Sequence, residues 1–75
     1  MRTETSQDIP VRLSPKEIEC LNWAMEGKSS WEIGVILGRK ENTVNYHIAN
    51  IMGKLHVSTR QQAVIKALRL GLIQL

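Results

Sequence analysis

The side chains with the clearest binding chemistry in this 75-residue chain lie in one short stretch, "ENTVNYHIAN". Polar or small side chains recur there at intervals of three and four residues, a spacing that puts them on one side of a helix. An Asn amide can form two hydrogen bonds with adenine, and an Ala methyl can contact the methyl group of thymine. Each good bidentate pair discriminates between bases by roughly 1 to 3 kcal/mol. The side chains on this face are Asn42, Asn45, Tyr46, Ala49 and Asn50.

Basic residues surround this stretch, and they are unevenly distributed along the chain. Residues 1–27 carry three basic and five acidic side chains, whereas residues 28–75 carry seven basic and two acidic ones. The formal charge of +3 therefore understates the positive charge of the later part, which favours phosphates as partners. Close to helix ends, such side chains can hold a nucleic-acid backbone. The basic residues near predicted helix ends are Lys28, Arg39, Lys40, Lys54 and Arg60.

Other chemistry has little support in the sequence. His47 and His56 are nine residues apart without a second pair of ligands, so we expect neither a metal site nor a cofactor. The single Cys20 excludes an internal disulfide and is interpreted as a small buried hydrophobe, with a redox-sensing thiol as the alternative. The sequence has no carboxylate pair, Ser-His-Asp set or Gly-rich phosphate loop, which argues against an enzyme.

Length and hydropathy limit the class of protein further. A chain of this size holds one domain, close to the smallest that a hydrophobic core alone can stabilise. It has neither an apolar run of about 18 residues nor the layout of a signal peptide, so we expect a cytoplasmic protein. Residues 1–12, "MRTETSQDIPVR", are polar and aperiodic, which predicts a disordered tail or linker stub. The folded domain should span residues 13–75.

Capping signals predict two short helices at the start of this domain, at 15–26 and from about residue 30 to Gly38. Each begins with a Ser that is followed three residues later by a Glu, the pattern of a capping box. The second helix presents four apolar side chains, among which Trp31 is interpreted as packing, with partial exposure against a preceding domain as the alternative. The residues of the capping and stop signals are Ser14, Pro15, Glu17, Gly27, Ser29, Glu32 and Gly38.

Two longer helices follow. A stripe of apolar residues repeats at intervals of three and four and predicts a helix over 41–55: Val44, Ile48, Ile51, Met52 and Leu55. A fourth helix opens at Ser58 or Thr59 and runs to Gly71. The β-branched residues fall at helical spacing throughout, so the predicted fold class is an all-α four-helix bundle.

The second and third helices have the layout of a helix-turn-helix, in which two helices are joined by a tight turn that contains Gly. In this motif the first helix spans the DNA backbone, while the second lies in the major groove. Residues 41–55 would then be the recognition helix, with its uncharged outer face on the base edges. Tyr46 is interpreted as touching bases or stacking on sugar, with an exposed aromatic of no function as the alternative.

The sequence resembles the LuxR-type DNA-binding domain (the LuxR/FixJ/NarL superfamily). The resemblance covers residues 13–73 and rests on "LSPKEIECL", "EGKSSWEIGVIL", "TVNYHIANIMGKL", "VSTRQQAV" and a closing "GLI". Trp23, in "LNWAMEGKS", resembles the acyl-homoserine-lactone receptor branch, that of quorum sensing, more than the phosphorylated response regulators. The resemblance implies a sequence-specific domain of a bacterial transcriptional regulator that binds double-stranded DNA as a homodimer on an inverted repeat. RNA polymerase is a further candidate partner.

The resemblance also assigns roles to individual residues. It implies base contacts from Asn45, Tyr46 and Ala49, with Asn42 as an addition. Glu32 is expected to stabilise the fold through packing, helix capping and a salt bridge, and not to contact DNA. Residues that match positions near the DNA backbone are Ser29, Ser30, Thr43, His47, Lys54 and Arg60, beside the basic residues Lys28, Arg39 and Lys40 named above. The residues that match the dimerisation surface of the fourth helix are Gln61, Ile65, Leu68 and Leu72.

Three residues depart from the pattern of the family. Lys40 stands where Ser often caps the recognition helix, so this helix start should be less well satisfied unless Glu41 or Asn42 compensates. Gly53 stands where a basic residue is common, which removes a phosphate contact and costs the helix about 1 kcal/mol relative to Ala. Gly34 replaces a usual Ala at the closest helix crossing, and we expect it to be tolerated as a packing site.

Three other interpretations stay open from the sequence. The fourth helix could dock another protein through Ile65 and Leu68, with the helix-turn-helix only as scaffold, since such folds occur without DNA binding. The domain could instead be the output domain of a two-component response regulator, or a stand-alone regulator that needs no ligand. Binding that weakens steeply with salt would separate DNA recognition from apolar docking.

Overall fold

A computed structural model describes residues 11–75 of the chain. Four α-helices follow one another: α1 (Pro15–Met25), α2 (Ser30–Leu37), α3 (Glu41–Leu55) and α4 (Arg60–Arg69). The described residues contain no strand, so the predicted all-α four-helix class is confirmed. Within this part of the chain, no helix has the length and apolar character needed to cross a membrane.

Side-chain caps define the starts of three helices. The hydroxyl of Ser14 accepts the amide hydrogen of Glu17, whose carboxylate accepts that of Ser14, so the capping box predicted for α1 is present. The box predicted for α2 is also present, between Ser29 and Glu32. At α4, the cap is Thr59, one of the two residues that the sequence offered. Each box satisfies two backbone donors that a helix start otherwise leaves free.

One hydrophobic core joins all four helices. The apolar stripe predicted for α3 lies there, with Leu55 only 1% exposed and Met52 partly buried against the core. The interpretation of Cys20 as a buried hydrophobe also agrees with the structure, because the residue has no exposed surface and its burial raises the pKa of the thiol. The buried core residues are Cys20, Leu21, Ile33, Val44, Ile48, Ile51, Leu55, Ala63, Ala67 and Ile73.

The packing predicted for Trp31 is wrong. Its side chain is 62% exposed, and Ile36 on the same helix is 43% exposed. The helix α2 has only two turns, and it meets the core through Ile33 and Gly34. Leu37 also packs partly against the core, but a helix buries only one side, so Trp31, Val35 and Ile36 remain at the surface.

Residues 1–10 of the predicted tail or linker stub lie outside the described residues. The last two residues of that segment contact the domain without forming a helix or strand. Val11 packs against the core, and the carbonyl oxygen of Arg12 accepts a hydrogen bond from the ammonium of Lys54. Both residues therefore contact the part of the chain that was predicted to fold.

Candidate nucleic-acid interface

The turn between α2 and α3 holds these helices in close contact. Gly38 ends α2 with a φ of 69°, in the left-handed region where Gly is favoured. The amide of Arg39 then donates to the carbonyl of Gly34 at 2.8 Å. A Cβ at Gly34 would lie 2.5 Å from the carbonyl oxygen of Arg39. Gly34 thus makes room for the backbone of the turn, which is a stricter role than the packing site that the sequence suggested.

The side chains on the outer face of α3 do not pack in the hydrophobic core. Asn42, Asn45, Tyr46 and Ala49 are all exposed, and Tyr46 is 65% exposed. Asn50, which the periodicity placed on the same side, is half-buried. The four residues assigned to base contacts are thus accessible on α3, and their contact with bases stays a prediction.

Tyr46 also contacts its neighbour on α3. Its ring packs edge to face with that of His47, with centroids 5.7 Å apart and an interplanar angle of 61°. The half-buried His47 can therefore limit the freedom of the Tyr46 ring. Residues 11–75 contain no group of three His, Cys, Asp or Glu side chains that could share a metal ion.

The start of α3 differs from the starts of the other three helices. Its N-cap is Lys40, in extended conformation, and no side chain accepts a hydrogen bond from the first turn. The compensation by Glu41 or Asn42 that the sequence left open is therefore not found. The cap position instead puts an exposed ammonium-bearing side chain beside the outer face.

The residues assigned to the DNA backbone fall into two groups. One group lies around α2 and the start of α3: Ser29 and Lys40 are exposed, whereas Lys28, Arg39, Thr43 and His47 are half-buried. The other group, Ser30, Lys54 and Arg60, has partners inside the domain.

Ser30 and Arg60 are joined to each other. Ser30 is only 6% exposed, and its hydroxyl accepts a hydrogen bond of 3.0 Å from Nη1 of Arg60. Nη2 of Arg60 is buried and has no hydrogen-bond partner within the described residues. This hydrogen bond ties the start of α4 to the start of α2, a link between residues 30 positions apart that the sequence did not indicate.

Lys54 forms an ion pair with Glu17 in the first turn of α1. Its ammonium lies 2.8 Å from Oε1 of Glu17 and 3.0 Å from the carbonyl oxygen of Arg12. Burial raises the pKa of Glu17, but the hydrogen bonds and charge of Lys54 and the contacts with Ser14 outweigh it and hold that pKa below its ordinary value. The sequence indicated the capping role of Glu17 and gave no sign of its partner on α3.

The α4 surface assigned to dimerisation is partly open. Gln61 is exposed and Ile65 is 51% exposed, whereas Leu68 and Leu72 are half-buried and pack against the core. Of the four assigned residues, Gln61 and Ile65 are therefore the ones most accessible to another molecule. A further link that the sequence missed runs from Lys66, whose ammonium donates to the carbonyl of Leu55 at the end of α3.

The helices α2 and α3 are joined by a turn that contains Gly38, and α3 has a polar outer face. This arrangement defines a helix-turn-helix domain. The family described as "Bacterial regulatory proteins, luxR family" matches residues 11–67. The chain therefore belongs to the luxR family of bacterial regulatory proteins, as its resemblance to the LuxR type implied.

Curated relatives support the same membership. The chain is 56% identical over 92% of its length to y4qH of Sinorhizobium fredii, named as an HTH-type transcriptional regulator. It is 52% identical over 85% of its length to RpaR of Rhodopseudomonas palustris, an HTH-type quorum sensing-dependent transcriptional regulator. It is 49% identical over 81% of its length to the transcriptional activator protein LuxR of Aliivibrio fischeri. The matched parts are 21%, 26% and 24% of these proteins, so the chain spans between about a fifth and a quarter of each.

Proposed function

We propose that this domain binds double-stranded DNA in a sequence-specific manner by placing α3 in the major groove. The observation that carries the proposal is the division of α3 into two faces. One face is buried in the core through residues such as Ile48 and Ile51, and the other presents Asn42, Asn45 and Tyr46 to the outside. Exposed amides on a rigid helix are suited to reading base edges.

Phosphate contacts would come from residues around the helix-turn-helix. Their positions favour contact with the backbone on both sides of the groove that α3 enters. Ser30, Lys54 and Arg60 are left out of this set, because their side chains have partners inside the domain. The proposed set is Lys28, Ser29, Arg39, Lys40, Thr43 and His47.

The proposed complex is a homodimer on an inverted repeat. Gln61 and Ile65 on α4 would form the centre of the contact between two copies, with Leu68 and Leu72 at its edge. A two-fold contact of this kind presents the same surface on both copies. The two recognition helices would then lie about 34–36 Å apart, one turn of DNA.

In the whole protein, this domain would be the output of a transcriptional regulator that answers quorum sensing. The name of RpaR, a quorum sensing-dependent regulator, supports that assignment, as does the resemblance of the stretch around Trp23 to the receptor branch. Recruitment of RNA polymerase would follow from DNA binding, and the domain itself would have no enzymatic role.

The first experiment is selection from a library of inverted-repeat duplexes, followed by fluorescence anisotropy with a scrambled duplex as control. We expect one palindrome to be enriched, and its affinity to fall about 10³- to 10⁵-fold between 50 and 200 mM salt if 6–10 phosphates are contacted. Equal, weak binding of every duplex would contradict sequence-specific recognition. Absence of binding at low salt would contradict DNA binding and favour the docking of a protein on α4.

A further inference from the structure

The ion pair between Glu17 and Lys54 joins residues that are 37 positions apart. The side chain of Glu17 is 6% exposed and that of Lys54 is 41% exposed, so the carboxylate is fixed inside while the Lys stem reaches it from the surface. Lys54 lies in the last turn of α3. The pair therefore connects the far end of this helix, as seen from the α2–α3 turn, to the first turn of α1.

One oxygen of Glu17 serves both the helix cap and the ion pair. Oε1 accepts the amide of Ser14 at 2.8 Å and the ammonium of Lys54 at 2.8 Å. The same ammonium donates to the carbonyl of Arg12, so the segment that enters α1 is bound as well. Loss of Lys54 would leave a buried carboxylate whose charge is compensated less well.

The other capping boxes show that capping does not require this ion pair. The box of Ser29 and Glu32 has the same distances, 2.8 and 3.1 Å, yet Glu32 is exposed. The box of Thr59 and Gln62 works without a charge. The negative charge of Glu17 therefore has a role beyond the start of α1.

We propose that Lys54 is a positioning residue, whose ammonium holds the end of α3 against α1 and so sets the angle at which the outer face meets DNA. The inference rests on the proposed function for its effect on DNA. A helix of 15 residues is about 22 Å long. The α2–α3 turn holds one end, and a small rotation about that end displaces the outer face unless the other end is held too.

The test uses four single variants of the full chain and the double variant Glu17→Gln/Lys54→Met. Glu17→Gln removes the charge and keeps the oxygen that caps α1. Lys54→Met removes the ammonium and keeps a long apolar stem, and Lys54→Arg restores a cation that can reach Glu17. Glu32→Gln is the matched control, because it makes the same chemical change in a capping box that has no link to α3.

The first readout is the angle between α1 and α3 in the free protein, from residual dipolar couplings. We expect Glu17→Gln and Lys54→Met to change it in the same direction, and Lys54→Arg and Glu32→Gln to retain the original value. An unchanged angle in both Glu17→Gln and Lys54→Met would overturn the proposal, whether or not the protein binds DNA.

The second readout is affinity for the duplex that the library experiment selects. We expect Glu17→Gln and Lys54→Met each to weaken binding about three- to tenfold, the double variant to be no weaker than either one, and the salt slope to stay constant. A phosphate contact by Lys54 would give a different result. Lys54→Met would then lower the slope by about one, while Glu17→Gln would strengthen binding by releasing the ammonium.

Failure of the two proposals is distinguishable. If the wild-type chain binds no duplex, the proposed function is wrong, and the helix angle still decides the role of the ion pair. If the wild-type chain binds DNA specifically and the angle between α1 and α3 is the same in the Glu17→Gln and Lys54→Met variants, the proposed function is retained. The positioning role of Lys54 is then wrong.

Discussion

Asn45 is the residue from which base recognition can be tested most directly. It is exposed on α3, so its side chain is not needed by the core. We expect Asn45→Ala to leave stability within about 0.5 kcal/mol. It should relax the preference at one position of each half-site by roughly 1 to 3 kcal/mol. Repeating the library selection with this variant measures the change.

The matched control for Asn45 is Asn22→Ala, which removes an exposed Asn from α1. It should leave the selected palindrome unchanged. An identical palindrome for Asn45→Ala and wild type would show that the assignment of Asn45 to a base is wrong.

Two Gly residues within helices should respond to Ala in opposite ways. At Gly34, the new methyl would lie 2.5 Å from the carbonyl oxygen of Arg39, so the turn must shift, and we expect a loss of about 1 to 3 kcal/mol in the free energy of unfolding. At Gly53, nothing lies within 4 Å of a new Cβ, and Ala should gain about 0.5 to 1 kcal/mol through its helix propensity.

Urea denaturation followed by circular dichroism compares the Gly34→Ala and Gly53→Ala variants under one condition. If both variants raised the free energy of unfolding equally, the backbone of the α2–α3 turn would accommodate the new methyl at Gly34 without loss of stability. The prediction from sequence treated Gly34 as a tolerated packing residue, because the approach of the Arg39 backbone depends on how the chain turns after Gly38.

Glu17 gives stability a dependence on pH. Because its pKa is lowered in the folded state, the unfolded chain binds more protons, and stability rises with pH in this range. The contribution is fully present above the pKa of the unfolded chain, about 4.3, and is lost as the pH falls toward the folded value. Glu17→Gln should therefore flatten the stability profile below about pH 5, as measured by urea midpoints from pH 3 to pH 6. A profile parallel to that of wild type would contradict the ion pair.

At the scale of elements, the start of α3 combines two requirements that conflict. Ser would cap the helix, whereas Lys40 leaves it uncapped and would supply a charge to DNA in the proposed complex. We expect Lys40→Ser to raise the free energy of unfolding by about 1 kcal/mol, since the backbone at this position is already extended as a cap requires. The same change should weaken DNA binding and lower its salt slope by about one.

Lys40→Ala separates these two effects, because it removes the charge without adding a cap. It should lower the salt slope as much as Lys40→Ser and give no gain in thermal or urea stability. If both variants were equally stable, the absence of a side-chain cap on α3 would have no energetic consequence.

The helices themselves were predictable from local signals. Capping boxes and Gly stops predicted the ends of α1 and α2, and the repeat of Val44, Ile48 and Ile51 predicted the buried side of α3. Trp31 was mispredicted because α2 has two turns, too few for its apolar residues to define one direction. Packing against α1 and α3 decides which of those residues contacts the core. The local sequence of α2 contains no information about that packing.

At the scale of the whole molecule, links between helices could not be predicted from this one sequence. Glu17 and Lys54 are distant in the chain, as are Ser30 and Arg60. Each of the four has an ordinary interpretation as a cap or a phosphate contact. Only the packing of all helices on one core brings the partners within hydrogen-bond distance.

Dimerisation also belongs to this scale. Ile65→Glu places a charge at the centre of the proposed two-fold contact, and since Ile65 is 51% exposed, the fold should keep its stability within about 0.5 kcal/mol. We expect the variant to lose cooperative binding to the palindrome and to retain binding to a single half-site. Gel shifts with both duplexes distinguish these outcomes.

Leu70→Glu is the control for the dimerisation variant, because Leu70 is also apolar and 51% exposed but lies outside the proposed contact. It should bind the palindrome as wild type does. If the two variants behaved alike, the contact between copies would have to lie elsewhere than on the first turns of α4.

The two-faced character of α3 has a consequence for how such regulators diverge. Mutations at Asn42, Asn45, Tyr46 or Ala49 change a surface that the core does not use, since all four side chains are exposed. A gene duplicate could therefore acquire new target promoters by substitutions there without first acquiring compensating mutations for stability. Selection on the buried side of the same helix would meanwhile keep the scaffold constant, so paralogues of this domain can share one architecture and regulate separate sets of genes.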